Sequence, residues 1–193
     1  MYSLDLGWFL GELWQLVFGF RLTQKVIKMS KTYVVWSCAH TDAGTDNNRF
    51  DWLGNFIYDI KPDVVLDLGD GADMRSLNSY DTKYPKQIVT QSYEQDIEVY
   101  NDSQERLRHK FKQHRKKRPH WVGFEGNHEH RIKTALKHDP RLEGQKYGVS
   151  FGHLQTKQWF NDYHEYENSA PSIATYGGID FAHYFASGNY GSA

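Results

Sequence analysis

The 193-residue sequence is poor in cysteine, with Cys38 as its only one, so no internal disulfide can form. That usage fits a reducing compartment and leads us to expect a cytoplasmic protein. The formal net charge of -1 excludes a general attraction to nucleic acid or acidic lipid, so any such contact needs a local patch. Hydrophobic residues at 39% and charged residues at 24% still give the composition of one globular domain with a sizeable core.

Long hydrophobic runs are also missing. The apolar stretch at residues 13–20 ends at Arg21 and falls short of the roughly 18 apolar residues that span a bilayer. The opening has neither a basic region nor a small-residue cleavage site, which argues against a signal peptide. Residues 1–28 therefore form an apolar N-terminal extension with three open interpretations. It is a helix on a membrane or partner surface, a helix packed on the domain, or a non-native extension ahead of a start at Met29.

From residue 29 to residue 193, strand and helix patterns alternate, which is typical of an α/β domain with a largely parallel sheet. The predicted strands are short and rich in β-branched and aromatic residues, at 32–36, 64–68, 120–124, 173–176 and 179–183. Apolar residues at three- and four-residue spacing predict helices that end before Pro62, over 92–118, over 129–137 and near 154–161. Residues 76–92 indicate an irregular insertion.

Polar motifs follow the predicted strands, at the edge where ligands bind in α/β sheets. They are Cys38-Ala39-His40, Gly69-Asp70-Gly71-Ala72-Asp73, Gly126-Asn127-His128-Glu129, and His183 at the end of a strand. Sulfur, imidazole, carboxylate and amide groups that converge on one edge could bind a divalent metal such as Mn, Fe or Zn.

The order of these motifs resembles that of the calcineurin-like metallophosphoesterase family over residues 32–185. The similar features are strand–Gly-Asp-x-x-Asp, strand–Gly-Asn-His-Glu and a strand ending in histidine. The resemblance implies an α/β/β/α sandwich, two divalent metal ions (Mn, Fe or Zn) and hydrolysis of phosphoesters in nucleotides, nucleic acids or phosphoproteins. The implied mechanism is in-line attack on phosphorus by a hydroxide that the metals activate.

The resemblance also implies a role for each site residue. The implied metal ligands are Cys38, His40, Asp70, Asn127 and His183, with Asp70 as the bridge between the two ions. The implied catalytic residues are His128, which stabilises the phosphoryl oxygens or protonates the leaving group, and Asp73, which orients the His128 ring.

Two departures from the family pattern keep other interpretations open. Cys38 stands where the family has aspartate, and no Gly-His-x-His motif follows His183, which leads us to expect a C-terminally truncated domain. A catalytically impaired binding or regulatory module on the same fold is therefore the alternative to an active hydrolase. A hydrolase anchored to a membrane by residues 4–22 is a weaker alternative. Asp42 lies close enough to His40 in sequence to replace the missing carboxylate.

Charged residues near the motifs have simpler interpretations as well. The basic stretch Arg106–Arg118 could contact phosphate or nucleic acid, but it also suits the C-terminal half of a long solvated helix. Asp73 and Glu129 could be ordinary acids at helix starts, where the helix dipole favours negative charge.

Overall fold

The computed structural model describes residues 31–78, 92–113, 118–144 and 146–185. The predicted extension at 1–28 and most of the predicted insertion at 76–92 lie outside the described residues. Within the described part, no helix is long and apolar enough to cross a membrane.

A four-stranded parallel sheet organises the described residues, which confirms the predicted α/β class. Its strands are β1 (Tyr33–Trp36), β2 (Val64–Asp67), β3 (His120–Phe124) and β4 (Asp162–His164), paired in that order. Because all four run in the same direction, the loops that leave their carboxyl ends emerge at one edge of the sheet.

Helices connect the strands, and a hairpin follows them. The helices are α1 (Asn48–Ile60), α2 (Tyr93–Gln113), α3 (Asn127–His138) and the single turn α4 (Thr156–Trp159), with 3-10 turns at Arg75–Leu77, Pro140–Leu142 and Phe151–Leu154. The antiparallel hairpin pairs β5 (Ala174–Tyr176) with β6 (Ile179–Phe181). The predicted helix near 154–161 is thus mainly the short α4, and β4 was not predicted, since a three-residue strand carries too little pattern to recognise.

The central strands β2 and β3 are buried on both faces of the sheet. On one face Val65 belongs to a large cluster that includes Ile57 of α1, Leu107 of α2 and Ile132 of α3. On the other face a cluster of Val64, Leu66, Val122 and Phe124 packs against Ala174, Tyr176 and Phe181 of the hairpin. Burial on both faces explains why β2 is an unbroken apolar run until Asp67.

Candidate metal centre

The loops that leave β1 and β2 are joined by backbone hydrogen bonds. The N–H of Cys38 donates to the carbonyl oxygen of Gly69 at 2.9 Å, and the N–H of His40 donates to that of Asp70 at 2.9 Å. These bonds continue the strand pairing beyond the sheet, and they set the Cys38 and His40 side chains beside the Asp70 carboxylate.

The same loops hold non-glycine residues in the left-handed backbone region. The φ angles are 54° at Cys38, 45° at His40 and 54° at Asp70. Such conformations cost roughly 1–3 kcal/mol each and persist only where the surrounding structure imposes them. Here the inter-loop hydrogen bonds impose them, so the loops are shaped by their neighbours and not by local preference.

Two glycines, Gly126 in the loop after β3 and Gly69 in the loop after β2, allow these two loops to pack closely. A Cβ atom on Gly126 would lie 2.2 Å from both the backbone nitrogen and Oδ1 of Asp70. Gly69 has a φ of +94°, and a Cβ atom there would lie 2.6 Å from the Gly126 nitrogen. The glycines in the Gly-Asp and Gly-Asn-His motifs are therefore required for the loops to approach each other.

Glu129 holds the second and third loops together. Its side chain is fully buried and accepts backbone hydrogen bonds from Asp70 (3.0 Å), Gly126 (2.9 Å) and Ala72 (2.7 Å). Burial raises the pKa of Glu129 to about 8, and the charge of Asp70 adds to this effect. Glu129 is thus more than a helix-start acid, because it positions the backbone that carries Asp70.

A first group of possible ligand atoms forms where these loops meet. Cys38, His40 and Asp70 each place one such atom within 4.8 Å of the others, so the three could hold a metal ion. Asp42 is not in this group, and its carboxylate lies 3.6 Å from the guanidinium of Arg75.

A second set of possible ligand atoms surrounds His183. Its Nε2 lies 3.3 Å from Oδ2 of Asp70 and 2.9 Å from Oδ1 of Asn127, while its Nδ1 lies 2.8 Å from the carbonyl oxygen of Leu68. Burial alone would lower the pKa of His183, but the hydrogen bond and charge of Asp70 and the Leu68 carbonyl raise it. Both ring nitrogens therefore face oxygen atoms, and Nε2 points at the same oxygens that a cation would contact.

Asp70 is common to both sets. Its Oδ1 accepts the backbone N–H of His128 at 2.9 Å, and its Oδ2 faces His183. Burial alone would raise the pKa of Asp70, but the hydrogen bonds and charges of His183 and His128 lower it below its usual value. An ionised carboxylate that is shared by two sets of donors is suited to bridging two cations.

His128 lies beside these groups, with its ring fixed on both sides. Nδ1 is 2.9 Å from Oδ1 of Asp73 and 2.8 Å from its carbonyl oxygen, and Nε2 is 3.1 Å from Nη2 of Arg131. The guanidinium can only donate, so Nε2 accepts and Nδ1 carries the proton toward Asp73. The His40 ring packs edge-on at 4.5 Å between centroids.

Sequence reasoning missed Arg131, although a signal was available. Arg131 stands three residues after His128 on α3, so both side chains lie on the same face of the helix. Its Nη1 donates to the Asp73 carbonyl at 2.7 Å, which ties it to the same loop as His128.

Two further buried acids, Asp67 and Glu125, form hydrogen bonds to the segments next to the site. Asp67, the last residue of β2, accepts the N–H of Gly69 at 3.1 Å, and burial raises its pKa to about 7. Glu125 precedes Gly126 and contacts Lys133 of α3 at 2.7 Å and the N–H of Tyr166 at 2.7 Å. These contacts anchor the turn into α3 and the segment after β4.

The structure brings all of the predicted site residues to one edge of the sheet. No family model matches the chain, and no curated protein matches it either. The donor set and its geometry are what indicate a metal centre here. That set combines a thiol, imidazole nitrogens, carboxylates and an amide oxygen. Such a mixture of soft and hard ligands fits a divalent metal such as Zn, Fe or Mn.

Proposed function

We propose that this chain is a metal-dependent hydrolase of phosphoester bonds, built on the metallophosphoesterase sandwich that the motif order implies. The observation that carries the proposal is the position of Asp70 between two sets of ligand atoms. In this account Cys38, His40 and Asp70 hold one cation, and Asp70, Asn127 and His183 hold the other.

Two divalent cations, Mn, Fe or Zn, would supply an activated water and neutralise charge on the phosphoryl oxygens. The Leu68 carbonyl oxygen would keep a proton on Nδ1 of His183. Nε2 would then be the nitrogen that binds the metal, once Nε2 has lost its proton. Cys38 would act as a thiolate, which favours Zn or Fe over Mn.

His128 and Arg131 would act on the substrate itself. With Nδ1 held by Asp73, His128 would have to take up a proton on Nε2 in place of the hydrogen bond from Arg131, and it would then donate that N–H to a phosphoryl or leaving-group oxygen. Nε2 lies 4.0 Å from Oδ2 of Asp70, so the ring points toward the proposed metal ligands. Arg131 adds a positive charge at the same place, where a phosphoryl group would gain charge-assisted hydrogen bonds.

A catalytically impaired binding or regulatory module on the same fold is the second candidate. Cys38 favours it, since a thiol replaces the carboxylate that the family pattern places at the first metal. Nucleotides, nucleic acids and phosphoproteins all remain candidate substrates for an active enzyme.

The deciding experiment is hydrolysis of an aryl phosphomonoester and an aryl phosphodiester with added Mn²⁺, Fe²⁺ or Zn²⁺. We expect metal-dependent turnover that Asp70→Asn lowers by about 100-fold or more, since electrostatic groups at a reacting centre contribute on that scale. Asp59→Asn, the same change at an exposed position of α1, should have no effect. Metal-independent turnover, or equal rates for both variants, would reject the hydrolase. No turnover with intact metal binding would favour the impaired module.

A further inference from the structure

An exposed apolar stripe runs along the outer side of α1. Its members are Trp52, Phe56 and Ile60, which are 77%, 52% and 48% exposed and follow one another at four-residue spacing. Side chains at that spacing lie on one face of a helix and form a ridge, which is the feature by which helices pack together. Large apolar side chains that are exposed as a group mark surfaces that bind a partner.

The other sides of α1 are already packed. Phe50 and Ile57 belong to the core, where the Phe50 ring lies 6.0 Å from the ring of Trp36 on β1. Gly54 lies against α2, since a Cβ atom on it would lie 2.5 Å from the carbonyl oxygen of Leu107. The stripe is therefore the part of α1 that neither the core nor α2 covers.

The stripe lies on the side of the sheet's free edge. Among the described residues β1 pairs with β2 only, and Val35 of β1 is also exposed. The helix α1 packs over β1, whereas α2 packs over β3 through the rings of Phe111 and Trp121, 5.9 Å apart. The side of α1 that faces away from α2 is thus the side of the unpaired strand edge, where another chain can approach.

The two ends of the stripe carry exposed charges of opposite sign. Arg49 lies in the first turn of α1, where it makes a long hydrogen bond of 3.4 Å to the His40 carbonyl oxygen and no ion pair with the rest of the described chain. At the other end Asp59, Lys61 and Asp63 are exposed, which is two acids against one base. Arg49 and Asp59 both oppose the helix dipole, which favours acids at the N-terminus and bases at the C-terminus. An antiparallel copy of the helix would bring these opposite charges together.

We propose that α1 packs against α1 of a second copy of this chain, antiparallel about a two-fold axis near Phe56. In that register Trp52 lies opposite Ile60 of the second copy, and Arg49 lies opposite its acidic end. A two-fold interface uses the same patch on both subunits, so the patch must be complementary to itself. The stripe meets this condition, because it is apolar at its centre and oppositely charged at its ends. The interface is additional to the proposed hydrolase centre and does not depend on it.

Sedimentation equilibrium of the full chain tests the proposal. We expect a monomer–dimer equilibrium with a limiting mass of twice the 22.6 kDa monomer. Phe56→Glu should raise the dissociation constant of the dimer by about 30-fold or more, the scale for a residue at the centre of an interface. Trp52→Lys, at the most exposed position of the stripe, should do the same, and circular dichroism checks that both variants fold. Ile179→Glu, at an exposed isoleucine of the hairpin, is the matched control and should dimerise as wild type does.

Charge reversal tests the antiparallel register. Arg49→Glu and Asp59→Arg should each weaken the dimer by about fivefold, the upper range for exposed ion pairs, and the double variant should recover wild-type affinity. A double variant that is weaker than either single variant would overturn the antiparallel arrangement. A wild type that stays monomeric throughout a dilution series, or a dimer that persists in Phe56→Glu, would overturn the interface itself. If that monomeric wild type sediments with phosphatidylserine vesicles and Phe56→Glu does not, the stripe is a membrane-binding surface instead.

Discussion

Oε2 of Glu129 accepts the backbone N–H of Asp70 at 3.0 Å and thereby fixes the loop that carries the central proposed ligand. Glu129→Gln replaces one acceptor oxygen with an amide group that faces N–H donors. We expect a loss of about 1–3 kcal/mol in unfolding free energy in urea, the usual cost of an unsatisfied buried donor. Zn²⁺ affinity should fall by about 10- to 100-fold, as for other residues that support ligands. Glu143→Gln, at an exposed position, should change neither the unfolding free energy nor the Zn²⁺ affinity. Wild-type Zn²⁺ affinity in Glu129→Gln would contradict the conclusion that Glu129 positions Asp70.

In the proposed site, His183 should make metal binding depend on pH. In the metal-free protein its pKa is raised, chiefly by Asp70 against the effect of burial, so Nε2 stays protonated above the usual range. A metal must displace that proton, so affinity should fall by about tenfold per unit as the pH drops below the raised pKa. Titration of the His183 ring by NMR should show a pKa above 6.5 that Asp70→Asn lowers. An unshifted pKa would contradict the arrangement of these two residues.

If Cys38 is a ligand as proposed, it should set the preference for metal. As a thiolate ligand it should make the protein favour Zn²⁺ or Fe²⁺ over Mn²⁺, and Cys38→Asp should reverse that order by offering a harder oxygen. Aspartate also tolerates the left-handed backbone that Cys38 adopts, with its φ of 54°, so the variant should fold. Cys38→Ser should bind every metal more weakly, because a neutral hydroxyl is a poor ligand. If all three variants show the same affinities across a metal series, residue 38 does not contact the metal.

Arg131 should contribute to turnover and not to metal affinity. Its guanidinium contacts Nε2 of His128 and the Asp73 carbonyl, but it offers no ligand atom to a cation. We expect Arg131→Ala to lower the rate of aryl phosphodiester hydrolysis by about 100-fold, the scale for loss of a charge-stabilising donor. Zn²⁺ affinity should stay unchanged, and Arg141→Ala, at an exposed position, should leave both unchanged. A parallel loss of Zn²⁺ affinity would instead make Arg131 a structural residue.

The sequence was sufficient to predict the α/β class and the edge at which the motifs meet. Both follow from local features: apolar runs mark β2 and β3, and a polar motif follows each of them. The supporting contacts were not predictable in this way. Glu129 contacts a loop 59 residues away, and Arg131 meets Asp73 only because α3 packs beside the β2 loop. Such contacts depend on how loops approach in space, which spacing along the chain does not specify.

The central claim is that Asp70 is shared by two metal sites, and Zn²⁺ titration monitored by calorimetry tests it most directly. Wild type and the control Asp59→Asn should bind two Zn²⁺ ions. His183→Ala and Asn127→Ala should each retain one, because the Cys38 and His40 side remains. Asp70→Asn should weaken both sites by about tenfold or more, the effect of losing a charged ligand common to both. Two Zn²⁺ ions bound by Asp70→Asn with wild-type affinity would contradict the account.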